Sequence, residues 1–176
     1  ISNRLNELDI RFNLNEMYLG TIHSICLRLL EEYRDFTRLK RNFIMMDEFD
    51  QKYFIYERIS EYEEIPNISL IIGEPDQSAW SKTEELVKWI NTFSEEALDI
   101  QKLISAPDLE VQVLGQCAAL YQKHLDENNA LDFSTIQYEA LRLLQTYPDV
   151  RAELQQKMKY LMVDEYQDTN TIQEII

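Results

Sequence analysis

Glycine and proline are scarce in this chain, with 3 and 4 in 176 residues. So few chain-breakers leave long stretches in which apolar residues recur at helical spacing, and the chain reads as mainly α with a few strands rather than turn-rich. Cysteine is rarer still. Cys26 and Cys117 lie far apart and fit neither a CxxC nor a zinc pattern; both fall on apolar helix faces, as buried thiols of a reducing cytoplasm would. No apolar run approaches about 18 residues and no basic-plus-apolar leader opens the sequence, so neither a helical membrane span nor secretion is expected. Without secretion, the Asn67-Ile68-Ser69 sequon is a chance match. Positive charge is also short: 17 Lys and Arg face 32 Asp and Glu, for a net charge of −15.

What is present is a normal globular inventory, 45% hydrophobic and 28% charged, in a length that suits one or two domains. The first residue is Ile1 rather than Met, and the chain is expected to begin inside a larger protein. The negative charge is concentrated. Residues 1–46 hold 7 basic against 6 acidic residues, residues 47–139 hold 6 against 20, and residues 140–176 hold 4 against 6. Two near-neutral ends thus flank a middle of net charge −14 (6 minus 20), as though a segment of different character were set into another framework. Such a middle repels phosphates and is a poor sequence-independent nucleic-acid surface.

Local patterns place the elements. Met17-Tyr18-Leu19-Gly20-Thr21 reads as a short buried strand, followed by a helix with Ile25, Leu29, Tyr33 and Phe36 on one face. Asn42 to Met46 is a short extended stretch. Asp47 is an N-cap candidate for a helix with Phe49, Tyr53, Tyr56 and Ile59 at helical spacing. Residues 65–79, with Pro66, Gly73 and Pro75, give no clear pattern. Ser81-Lys82-Thr83-Glu84 has the form of a capping box opening a helix with Leu86, Ile90 and Phe93. Ser105 and Pro107 start a longer helix that ends at Asn128-Asn129. The next carries Ile136, Ala140 and Leu144 and stops at Pro148, which opens another. Tyr160 to Val163 is a continuous apolar run, the pattern of a parallel strand covered on both faces.

The richest stretch follows that run. LMVDEYQDTN, residues 161–170, places Asp164 and Glu165 at the carboxyl end of the expected strand, where α/β sheets bind ligands. A carboxylate there can hold Mg²⁺, which prefers oxygen donors. A second beside it can orient or deprotonate a water for attack on a phosphoryl group. For a bare Asp-Glu pair a solvated acidic loop is the better account. The apolar run before it, with Gln167, Asp168, Thr169 and Asn170 after it, favours a phosphate site.

VDEYQDTN resembles the Walker B motif of the UvrD/Rep-type superfamily 1 DNA helicases. Gly20-Thr21-Ile22-His23-Ser24 and the apolar helix after it resemble that family's motif Ib. Asn42-Phe43-Ile44 with Asp47 resembles the short strand and helix start that follow motif Ib, and Asn129-Ala130-Leu131-Asp132-Phe133 resembles the Leu-Asp-Phe segment that returns the chain to the motor core. The resemblance implies a helical 1B-like subdomain, residues 42–129, inserted in part of a RecA-like P-loop α/β motor domain 1A, residues 1–41 and 130–176. It further implies ATP and Mg²⁺ as cofactors. Asp164 would hold the metal and Glu165 would activate the hydrolytic water, with Gln167 and Asp168 near the nucleotide. Thr21, His23 and Ser24 would lie on the single-stranded DNA track. A capping role for Ser24 and a purely structural histidine at 23 stay open.

Two departures bear on this likeness. After Leu-Asp-Phe the family continues with acidic residues, whereas here Ser134-Thr135-Ile136 follow. The acidic middle also makes a grip on duplex DNA doubtful and leaves docking of protein partners as an alternative. No GxxxxGK[ST] phosphate loop occurs in the 176 residues. The expectation is therefore part of a cytoplasmic 3′-to-5′ DNA helicase that is inactive alone, serving repair, recombination or replication. The alternative is a helical protein-interaction module without motor activity.

Overall fold

The computed structural model describes residues 18–176. Helix α1, Ile22–Glu32, buries Cys26, Leu29 and Leu30 and runs through Tyr33 into a 3-10 turn, Arg34–Phe36. Strand β1, Ile44–Met46, pairs in parallel with β2, Ala130–Asp132, in the register Ile44 with Ala130 and Met46 with Asp132. Between the strands lie α2 (Glu48–Tyr56), α3 (Ile59–Glu63), α4 (Ser69–Ile72), α5 (Ala79–Glu95), α6 (Ile100–Ile104) and α7 (Leu109–Asn128). After β2 come α8 (Phe133–Thr146), α9 (Pro148–Lys157), a 3-10 turn at Tyr166–Asp168 and α10 (Thr171–Ile175). The chain is mainly helical, with this one two-stranded sheet among the described residues.

The pleat of β2 separates two hydrophobic cores. Ala130 belongs to a core with Met46, Ile55, Tyr62, Leu86, Ile90, Val113 and Leu125. Leu131, the next residue, belongs to a second core with Cys26, Leu30, Ile136, Ala140, Val150 and Leu154. Successive side chains of a strand point to opposite faces, so one residue step carries the chain from one core to the other. The first core is closed by residues 46–130. The second joins α1 to α8 and α9 across that interval.

Arg38 clasps the two units together. Its Nε donates to Glu139 Oε1 on α8 at 2.8 Å and lies 2.9 Å from Asp126 Oδ1 on α7, while Nη2 donates to the Ala130 carbonyl at 3.0 Å. Gln122 of α7 donates to the same Glu139 oxygen at 3.0 Å. Arg38 and Glu139 are both nearly sealed from solvent, so their charges are compensated inside the joint rather than by water.

Helix ends follow local chemistry. Asp47 caps α2 in a reciprocal box with Asp50, Pro148 opens α9 at N1, and Asn129 closes α7 in the left-handed conformation. Helix α5 begins earlier than its apparent box: Ser78 is the N-cap, and Ser81 lies in the first turn, its N–H donating to Ser78 Oγ at 3.2 Å. Gly115 lets α6 approach α7, since a Cβ there would stand 2.7 Å from the Ile104 nitrogen.

Four further expectations are corrected. Met17 lies outside the described residues, but Tyr18 to Thr21 form no strand, and Leu19 is exposed. Tyr160 to Val163 form no strand either, and all four side chains are exposed. A strand covered on both faces needs flanking strands, and the described sheet offers neither segment a partner. On α2 the aromatic face points outward. Gln51 and Ile55, at i and i+4, are its buried residues, with Gln51 Nε2 donating to Asn91 Oδ1 at 2.8 Å. Phe36 is likewise exposed, resting edge-on against Tyr147.

Candidate functional site

The sequence-derived site residues fall into two clusters. The first is built at the start of α1. Gly20 has φ 153°, and a Cβ would stand 2.3 Å from Ser24 Oγ, so only glycine lets the chain enter the helix this way. Thr21 is the N-cap: its Oγ1 accepts from Ser24 N–H at 3.2 Å, and Ser24 Oγ donates back to the Thr21 carbonyl at 2.8 Å. Both hydroxyls are therefore engaged in the cap while remaining exposed. His23, in the first turn of the helix, is half-buried. Its ring lies on that of Phe133 with centroids 3.8 Å apart and 17° between planes. Gln137 Nε2 stands 3.2 Å from His23 Nδ1, a spacing that suits an amide N–H donating to the neutral ring. Burial lowers the His23 pKa below its ordinary value.

Phe133 and Gln137 are residues that sequence reasoning missed in this cluster. They sit there because β2 leads straight into α8. Asp132 caps that helix in a box with Thr135, receives a 2.7 Å bond from Ser134 Oγ, and accepts from the buried Tyr121 hydroxyl. Ser134 and Thr135, where the family pattern continues with acidic residues, thus serve the cap. The Asp-x-x-Thr spacing was the signal for it. Tyr121 is held protonated far above its usual range, chiefly by burial and then by the Asp132 charge.

The second cluster is the loop after Val163. Asp164 Oδ1 accepts from the Glu165 N–H at 3.0 Å. Glu165 has a left-handed backbone, φ 49° and ψ 42°, which costs a non-glycine residue about 1 kcal/mol. Gln167 Nε2 donates to Glu165 Oε2 and restrains it. The Asp168 N–H donates to the Glu165 carbonyl at 2.9 Å, which closes the 3-10 turn; the Asp168 carboxylate is exposed. Beyond it Asn170 caps α10 in a box with Gln173, Ile172 is buried, and Thr171 Oγ1 donates to Glu96, the C-cap of α5, at 2.7 Å. The loop is therefore pinned behind its carboxylates while they face solvent.

No group of three or more His, Cys, Asp or Glu able to hold a metal occurs among the described residues. Mg²⁺ does not require one: it commonly takes one or two carboxylates and completes its shell with waters and phosphate oxygens. The exposed Asp164 carboxylate, restrained through one oxygen by its neighbour's amide, fits that demand. No hydrogen bond or ion pair among the described residues links this loop to Thr21, His23 or Ser24. Each cluster is organised by its own helix caps.

The chain belongs to the family described as UvrD/REP helicase N-terminal domain, which it matches over residues 1–176. Among its relatives is the ATP-dependent DNA helicase PcrA of Staphylococcus aureus strain Mu50, 32% identical over 159 residues, 89% of this chain and 20% of the relative. PcrA of Staphylococcus epidermidis is 31% identical over the same span. The chain covers about a fifth of the length of these relatives. No helix among the described residues is long and apolar enough to cross a membrane.

Proposed function

We propose that this chain is the part of an ATP-dependent 3′-to-5′ DNA helicase that runs from motif Ib to Walker B. In this reading residues 1–41 and 130–176 belong to motor domain 1A and residues 42–129 form the inserted 1B-like subdomain. The two cores that part between Ala130 and Leu131 support that division. The phosphate loop and the arginine that stabilises the transition state belong to parts of the protein beyond these residues, consistent with relatives about five times longer.

Asp164 offers the oxygen donor for Mg²⁺, which when bound would offset the charge of the ATP phosphates. Glu165 accepts the proton of the water that attacks the terminal phosphorus, and Gln167 keeps its carboxylate in one rotamer for that task. Thr21, His23 and Ser24 face single-stranded DNA, with duplex DNA ahead of the motor. Repair, recombination or replication would use such strand separation. One observation carries the reading: Glu165 is exposed, in a left-handed backbone and held by Gln167, on a loop anchored by Ile172 and Thr171. In the intact protein Glu165→Gln is expected to keep nucleotide binding and lose most hydrolysis. Turnover at the parental rate would remove Glu165 from the mechanism.

A second role belongs to the acidic helical unit. Its residues 42–129 hold 6 basic and 18 acidic side chains, a charge of −12 (6 minus 18), which disfavours a grip on duplex phosphates and favours protein partners. The same charge supports the rival reading of an interaction module without motor activity. An ATPase assay of the intact protein with and without single-stranded DNA separates the two.

A further inference from the structure

The acidic unit carries an aromatic patch that no core uses. Phe49, Tyr53 and Tyr56 of α2 and Trp80 of α5 are 65%, 47%, 38% and 36% exposed. They are contiguous: ring centroids stand 6.4 Å apart for Phe49 and Tyr53, 6.2 Å for Tyr53 and Tyr56, 5.5 Å for Tyr56 and Trp80, and 6.4 Å for Trp80 and Phe49. Four large rings thus close a circuit on the surface. Contiguous exposed apolar surface is uncommon on soluble proteins and marks places where something binds.

Two exposed carboxylates share the helix faces of the rings: Glu57 lies one turn beyond Tyr53 and Glu84 one turn beyond Trp80. Glu57 has Arg58 Nη1 3.8 Å away, and Glu48, next to Phe49 in sequence, is exposed as well, while Asp50 is engaged in the α2 cap. The patch's own cation is already taken: Lys52 Nζ is 3.2 Å from Glu84 Oε1 and 5.5 Å from the centroid of Trp80. An aromatic floor with a carboxylate rim selects a cationic group with a flat, weakly hydrated face, which describes guanidinium better than ammonium. Nucleic-acid bases also stack on such rings, but their phosphates would then lie against the carboxylates, with no free cation in the patch to meet them.

We propose that Phe49, Tyr53, Tyr56 and Trp80 form a docking surface for an arginine-bearing basic segment of a partner protein. Guanidinium groups would stack on the rings and their charge would meet Glu57 and Glu84, the exposed carboxylates one turn from Tyr53 and Trp80. The inference rests on the reading that the acidic unit meets protein rather than DNA, and is independent of the motor chemistry.

The test measures fluorescence anisotropy with the intact protein and three labelled probes: a short peptide alternating Arg and Leu between glycines, its Arg→Glu counterpart, and oligo-dT. The Arg peptide is expected to bind and the Glu peptide not. Tyr53→Ser and Trp80→Ala should each weaken the Arg peptide by about tenfold, as truncated interface aromatics do. Glu57→Gln with Glu84→Gln, which leaves every ring in place, should weaken it about threefold and flatten its salt dependence. Unfolding temperature and oligo-dT affinity should hold in all variants. Equal binding of the two peptides, or Arg-peptide binding untouched by the ring variants, overturns the proposal. Oligo-dT binding lost in Tyr53→Ser overturns both the proposal and the reading of the acidic unit beneath it.

Discussion

His23 lies flat on Phe133, 3.8 Å between ring centroids, and thereby joins the first turn of α1 to the first residue of α8. The contact makes the Thr-x-His-Ser turn and the Leu-Asp-Phe segment one surface. A stacked pair of this kind contributes about 0.5–1.5 kcal/mol beyond burial. A thermal double-mutant cycle with His23→Ala and Phe133→Ala should return a coupling in that range. Additive effects would mean the rings merely lie near each other.

If that surface also faces DNA, Thr21→Ala with His23→Ala in the intact protein should raise the single-strand concentration that half-stimulates ATPase. Basal ATPase should hardly move. Thr21→Ala alone should cost about 1 kcal/mol of stability through the lost cap. Unchanged DNA stimulation with lowered stability would assign these residues to folding alone.

The His23 pKa gives a pH signature. Burial lowers it below 6.5 in the folded protein, so on acidification the unfolded chain takes up the proton first. The neutral ring's contribution is thus present above pH 6.5 and fades as pH falls from there toward the folded pKa. Imidazole NMR should place the His23 midpoint below 6.5, and His23→Asn should flatten the stability profile in that window. A midpoint at or above 6.5 would contradict the buried, Gln137-bonded ring.

The clasp at Arg38 should be costly to break. Arg38→Met removes the nearer of the two cations beside the buried Glu139, leaving Arg142 Nη1 at 3.6 Å and the Gln122 bond, and is expected to destabilise by about 2 kcal/mol, below the scale of a wholly uncompensated buried charge. Adding Glu139→Leu should recover most of the loss. Failure of the second change to recover stability would place the weight on Asp126 and the Ala130 carbonyl instead.

Much of the helical layout was legible because caps are local. Asp47, Asn129 and Pro148 announce helix ends through their own backbone chemistry, and the structure uses them so. Ser81 misled because Ser78 offers the same hydroxyl three residues earlier, and a cap is chosen by where the apolar face must begin. The aromatic spacing on α2 revealed a helix but not its inward side, which Gln51 and Ile55 took. The run at 160–163 has strand composition, yet strands exist only in pairs. At the candidate site the carboxylate string was visible as a string. The approach of Gln137 to His23, 114 residues apart in sequence, is a tertiary fact that local pattern does not carry.

The proposed role of Glu165 is to drive hydrolysis in a DNA-stimulated motor. The most direct measurement is single-turnover ATP hydrolysis by the intact protein on single-stranded DNA, parental against Glu165→Gln, with nucleotide binding measured in parallel. The account predicts nucleotide affinity within about threefold of parental and hydrolysis slowed by at least about a hundredfold, the scale of a lost general base. Hydrolysis at the parental rate, or a parental protein with no ATPase on DNA at all, would contradict it.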